Sequence, residues 1–134
     1  MADTYYDPDV APYAHDWLAL PETERIRLAQ SHHIAARVKA PNMKAHAAMH
    51  VVVENQIATG YGPSKRAVAR LQSQGLSRHE AIHAIASIVA QFVHELNNGR
   101  TAAAWASFQS RMSEAIERLD AEVWLSGAGR SSDG

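Results

Sequence analysis

The stretch Asn42-Met-Lys-Ala-His46-Ala-Ala-Met-His50-Val-Val-Val-Glu54-Asn-Gln-Ile-Ala58 decides the fold. Its centre, Val51-Val52-Val53, is the nearest thing in the chain to a strand, because β-branched side chains suit a pleated surface. A strand would show period-two alternation. Here Met49, Val53 and Ile57 recur every four residues and carry one apolar stripe straight through the valines, which is a helical period. Asn42 is a good N-cap and Gly60 a good terminator, so the spacing predicts a helix ending near Ala58. With this candidate removed, no segment alternates convincingly, and the chain reads as all-α.

Working outward, proline and glycine divide the rest into helical segments free of breakers. Residues 1–20 read as an irregular lead-in. Pro21, followed by Glu22 and Glu24 at the positive end of a helix dipole, starts a helix expected to run to about Lys39, stopped by Pro41. Ser64 begins a short helix that Gly75 closes. Ser77 caps another from Arg78 to Leu96, and a last one is expected from about Thr101 to Leu125. No repeat of fixed period is present. The expectation is one bundle domain of about five helices over residues 21–125, with short links implying up-down packing. The Ser/Gly-rich residues 126–134 read as a disordered tail.

In the helix after Ser77, Ile82, Ile85, Val89, Phe92 and Leu96 form one stripe, and Ala86, Ala90 and Val93 widen it, so this helix should be central. In the last helix Trp105, Phe108, Met112, Ala115, Leu119 and Glu122/Val123 follow steps of three and four. That narrower seam covers the bundle or pairs with a second copy, so a homodimer through residues 101–125 is one expected partnership.

The 134 residues suffice for one real core, and 46% of them are apolar. A formal net charge of −1 gives no reason to expect nucleic acid or an anionic membrane as partner. The chain contains no cysteine, which excludes disulfides, thiolate metal sites and cysteine nucleophiles. Met1–Asp16 is acidic and tyrosine-rich, without the basic and apolar regions of a signal peptide, and no apolar run reaches a membrane span. The expected location is the cytoplasm.

Histidine is the unusual component, with eight in the chain. His46 and His50 are four apart, with Glu54 four further, so all three share a face with Val53 and Ile57. His79 and His83 are again four apart. Composition alone predicts roughly 0.5 such pairs, so one would mean nothing and two are modest support. Depth adds more. At 1.5 Å per residue His46 and His50 lie about 6 and 12 Å into their helix, and His79 and His83 about 3 and 9 Å into theirs. If the two helices run parallel, both pairs stand at one end of the bundle. His33, about 9 Å from the end of an antiparallel helix, belongs at that end too.

This predicts a divalent first-row metal site with His46, His50, His79 and His83 as ligands and Glu54 and His33 joining them. Zinc or iron come first, manganese or nickel next. An open coordination position would activate water or bind an oxidant, with Glu54 or Glu80 as the base. His79-Glu80-Ala81-Ile82-His83 also matches H-E-x-x-H, in which two histidines bind zinc and the glutamate is the general base. Two features weaken a peptidase. Ser77 and Glu80 fit a capping box, which gives Glu80 a structural job, and no strand is available to hold an extended peptide. Glu80-x-x-His83 is one of the two pairs that a carboxylate-bridged di-iron bundle needs. The competing class is a metal-free helical interaction module whose histidines are satisfied by carboxylates and backbone. His94 lies about 16 Å beyond His83 along its helix and is expected to stand apart.

The strings His46-Ala-Ala-Met-His50-Val-Val-Val-Glu54-Asn55-Gln56-Ile57-Ala58, Arg70-Leu71, Gly75-Leu76 and Arg78-His79-Glu80-Ala81-Ile82-His83-Ala84-Ile85 resemble a family of small bacterial proteins catalogued as a domain of unknown function. Trp17-Leu18-Ala19-Leu20, Glu24-Arg25-Ile26 and His33 extend the resemblance, which covers roughly residues 16–97. It implies that His46, His50, Glu54, His79 and His83 belong to one shared feature, and it implies no activity. The order His33, His50-x-x-x-Glu54, His79-x-x-x-His83 is also similar to hemerythrin, a four-helix di-iron oxygen binder. Hemerythrin's last helix supplies a histidine and an aspartate, and no H-x-x-x-x-D follows His83 here. That likeness is one of ligand logic.

Overall fold

In a computed structural model, which describes residues 6–35, 43–99 and 102–126, Met43–Ala58 forms a helix buried on two sides. The described residues hold seven helices and no strand: α1 (Ala14–Ala19), α2 (Glu22–Ala35), α3 (Met43–Ala58), α4 (Gly62–Ser73), α5 (Arg78–Gly99), α6 (Ala102–Glu117) and α7 (Ala121–Leu125). Expectations for residues 36–42, for the 127–134 tail and for the side chains of His33 and Trp105 lie outside the described residues.

Helix α3 separates two apolar clusters. Val53, with Met49, Val52 and Ile57, faces the main core built with Leu71, Ile82, Ile85, Met112, Ile116 and Trp124. Ala47 and Val51 face a second cluster with Tyr6, Trp17, Leu28 and Ala29. At 100° per residue these two sets leave a stripe between them, and it carries His46, His50 and Glu54. The valine run fits this position, since a helix with apolar neighbours on both sides loses little by being β-branched.

The glycine stops are as the sequence implies. Gly60 (φ 86°) and Gly75 (φ 104°) adopt left-handed backbone, which only glycine takes at low cost. The following residues close the helices: Tyr61 N–H donates to Gln56 O at 2.8 Å and Leu76 N–H to Leu71 O at 3.1 Å. Helix α5 is central, packed against α3, α4 and α6, as its wide apolar surface requires.

The count of seven corrects the expected five in two places. Within the lead-in, Ala14–Ala19 is a short helix anchored by the buried indole of Trp17, whose Nε1–H donates to Asn55 Oδ1 at 2.9 Å. The expected last helix is broken between Glu117 and Ala121. Asp120 is extended, and its carboxylate caps a new helix by accepting from the N–H groups of Glu122 and Val123. Arg70 donates to the carbonyls of Ile116 and Leu119, both at 2.9 Å, and so closes α6 from outside. The continuous step-of-three-and-four pattern concealed a local cap. Met112 and Ile116 of α6 and Trp124 of α7 are buried in the main core, while Val123 and Leu125 are exposed.

The run Glu54-Asn55-Gln56 ties α3 to its surroundings residue by residue. Glu54 pairs with Arg78 at the start of α5. Asn55 accepts from Trp17 and from Arg25 Nη1, both at 2.9 Å, pinning the α1–α2 corner. Gln56 Oε1 accepts from Ser64 Oγ of α4 at 2.6 Å.

Candidate metal centre

Helix α3 presents His46 and His50, and the first turns of α5 present His79 and His83. The α5 start is well determined: Ser77 Oγ accepts from Glu80 N–H at 3.0 Å, and Asp9 Oδ1, from the segment before α1, accepts from His79 N–H at 2.9 Å. Consequently the four imidazoles meet. His83 Nε2 stands 3.2 Å from His46 Nε2 and 3.2 Å from His79 Nε2. The His50 ring centroid is 4.7 Å from that of His83, 5.2 Å from His46 and 5.4 Å from His79. One ligand atom from each of His46, His50 and His83 falls within 4.8 Å of the others. His79 is brought beside this trio and touches it through His83.

These separations can be compared with a coordination shell. With Zn–N bonds of about 2.0–2.1 Å, adjacent tetrahedral nitrogens lie about 3.3 Å apart. The two 3.2 Å contacts are therefore near ligand spacing. They are also hydrogen-bond spacing, in which one nitrogen of each pair carries the proton and the other the lone pair. Protonating His79 is unfavourable. Burial pushes the His79 pKa below its ordinary 6.5, and the neighbouring His32 and His46 push it further, against an opposing pull from Asp9 and Asp7. Neutral imidazoles keep a lone pair each, which is what a cation needs.

Glu54 is not among the residues that gather around the ions' candidate position. It is buried and forms a forked ion pair with Arg78, Nη1 to Oε2 and Nη2 to Oε1, both 2.8 Å. Oε2 also accepts from the Tyr6 hydroxyl at 2.5 Å. This differs from the expected ligand or base, and the reason is that Arg78 occupies both carboxylate oxygens. Burial would strip charge from Arg78, yet the bonds and charge of Glu54 hold its pKa above the ordinary value. Tyr6 is held neutral, its pKa raised well above 10.0 by burial and then by the Glu54 charge. Glu80 likewise stands apart: its side chain is exposed, and its N–H serves the Ser77 cap. His94 is exposed.

Three residues beside the cluster are not among the expected site residues. From α2, the His32 ring stands 5.5 Å from that of His79 and 6.1 Å from that of Tyr6. The buried neighbours Leu28 and Ala29, four and three residues earlier, mark the face on which His32 lies. Tyr6 and Arg78 carry no spacing signal, since their partners are 48 and 24 residues away in sequence. No protein-family model, no curated protein and no solved structure matches the chain, so the centre is described by its own residues alone.

Proposed function

We propose that this protein binds a divalent first-row metal ion through His46, His50 and His83, with His79 as a fourth nitrogen donor. The carrying observation is the convergence of three ligand atoms within 4.8 Å from two helices, with Nε2 contacts of 3.2 Å. Imidazole suits zinc and iron foremost, then manganese and nickel. A single ion is favoured over a bridged pair, because a di-iron bundle needs carboxylate bridges and the nearest buried carboxylate, Glu54, is engaged by Arg78.

The donor set is neutral, so a bound ion keeps its full positive charge. If His79 stays outside the shell, the open position polarises water or an oxidant. If His79 joins, the site is closed and the metal cross-links α3 to α5.

Elemental analysis of untagged protein tests the proposal. About one metal per chain is expected, and fewer than 0.1 would sink it. Replacing both His50 and His83 with Ala should abolish binding, and retained metal would mean that other residues are the ligands. A metal-free protein that crosslinks as a stable dimer through residues 101–125 would replace this reading with the interaction module. Visible absorption responsive to reductant and oxygen would mark iron. A colourless protein whose melting temperature collapses with chelator would mark a structural ion.

A further inference from the structure

The stripe of α3 that carries His46 and His50 continues one turn on to Glu54, and that carboxylate is joined to His50 through a phenol. Protons along this path can be counted. Glu54 faces the Arg78 guanidinium with both oxygens at 2.8 Å, so it is an ionised acceptor with no proton to give. Tyr6 has one hydroxyl proton, and at 2.5 Å from Glu54 Oε2 that proton lies between the two oxygens. The phenol oxygen then has only lone pairs for its other neighbour, His50 Nδ1, 3.4 Å away. An unprotonated Nδ1 would set lone pair against lone pair. A protonated one is attracted. A neutral imidazole with its proton on Nδ1 has its lone pair on Nε2.

We propose that Tyr6 is a positioning residue: clamped by Glu54 and Arg78, it holds His50 in the Nδ1–H tautomer and leaves Nε2 as the nitrogen that faces the metal. This purpose rests on the metal-binding reading; the tautomer itself does not. Metal ligation by histidine commonly depends on such a partner at the other ring nitrogen, which fixes both tautomer and ring orientation. A cation on Nε2 makes Nδ1–H a stronger donor and tightens the 3.4 Å contact. The arrangement also makes the N-terminal segment part of the centre. Arg78 Nη1 donates to Pro8 O at 2.8 Å while it holds Glu54, and Asp9 caps the helix that bears His79 and His83. The same guanidinium therefore seats the segment and orients its tyrosine.

The test uses the full chain, first metal-free. Long-range proton–nitrogen NMR of the imidazoles should show His50 with a pyrrole-type Nδ1 and a pyridine-type Nε2. The opposite tautomer overturns the proposal, and this measurement needs no variant. Zinc affinity is then measured by chelator competition. Tyr6→Phe should bind about 10- to 100-fold more weakly than the unmodified chain, with its helical circular dichroism retained, and its His50 should become a tautomer mixture. The exposed Tyr13→Phe should match the unmodified chain. An affinity for Tyr6→Phe within twofold of the unmodified chain overturns the proposal. Should the unmodified chain take up no zinc or other metal, the metal reading fails separately, and the His50 tautomer still decides whether Tyr6 sets it.

Discussion

Successive turns of α3 carry two polar groups that nature has treated differently. Glu54 sits in a saturated network: two bonds from Arg78 and one from Tyr6 satisfy a carboxylate that is almost wholly shielded from solvent. One turn earlier the His50 ring stands 4.7 Å from that of His83, and two turns earlier His46 meets His83 through a nitrogen-to-nitrogen contact in which proton and lone pair must be shared out. The first group has a partner of opposite charge. In the second, imidazole meets imidazole, and burial holds the His79 pKa below its ordinary value. The contrast teaches that burial of polar groups serves two ends on one helix face: the ion pair holds the elements in place, and the histidines offer lone pairs.

Breaking the ion pair should have the largest effect. Arg78→Ala leaves a carboxylate buried without its counter-charge and releases the N-terminal segment from α5. Chemical denaturation of the metal-free protein should show a loss of about 3–5 kcal/mol. A loss under about 1 kcal/mol would mean that Glu54 is solvated and that the two groups are not distinct in kind.

Metal removal should act on the histidine group alone. At a metal concentration 100 times the dissociation constant, binding adds about 2.7 kcal/mol to the unmodified chain. Adding chelator should therefore lower its melting temperature by several degrees, while the His50→Ala/His83→Ala double variant should show no response. A chelator response in the double variant would move the site elsewhere.

Acid should sharpen the same contrast. Since the folded-state pKa of His79 lies below 6.5, the unfolded chain binds the proton more tightly. Stability of the metal-free protein should be full above about pH 6.5 and fall as pH drops toward the depressed value. Bound metal should move that loss to lower pH, because protons then compete with the ion. Denaturation midpoints from pH 7.5 to 5 check this, and a midpoint that rises on acidification would contradict a neutral cluster. The smallest effect is expected at His94, exposed on the distal half of α5. His94→Ala should leave metal content unchanged and shift stability by no more than about 0.5 kcal/mol.

Much of this arrangement is local and therefore legible. The stripe Met49, Val53, Ile57 marks a helix whatever surrounds it, and Gly60 and Gly75 terminate helices through a backbone angle that is a property of glycine. The spacing of four that pairs His46 with His50 and His79 with His83 follows from helical geometry alone, as does their similar depth. Ser77 as a cap needed only the residue three positions on. Where a longer pattern competed with a local signal, the pattern misled: the seam through α6 hid the Asp120 cap, and the lead-in hid α1.

The sequence by itself determined an all-helical chain with two histidine pairs at fixed spacings, because helical period, caps and glycine stops act over a few residues. Only the tertiary structure decided that His32 stands beside the cluster, that Arg78 claims Glu54, and that Tyr6 links Glu54 to His50. Those outcomes depend on the rotation of each helix about its axis and on contacts across 24 to 48 residues. Burial sets both: a carboxylate taken out of water must find a cation, and in this protein it found one on a neighbouring helix.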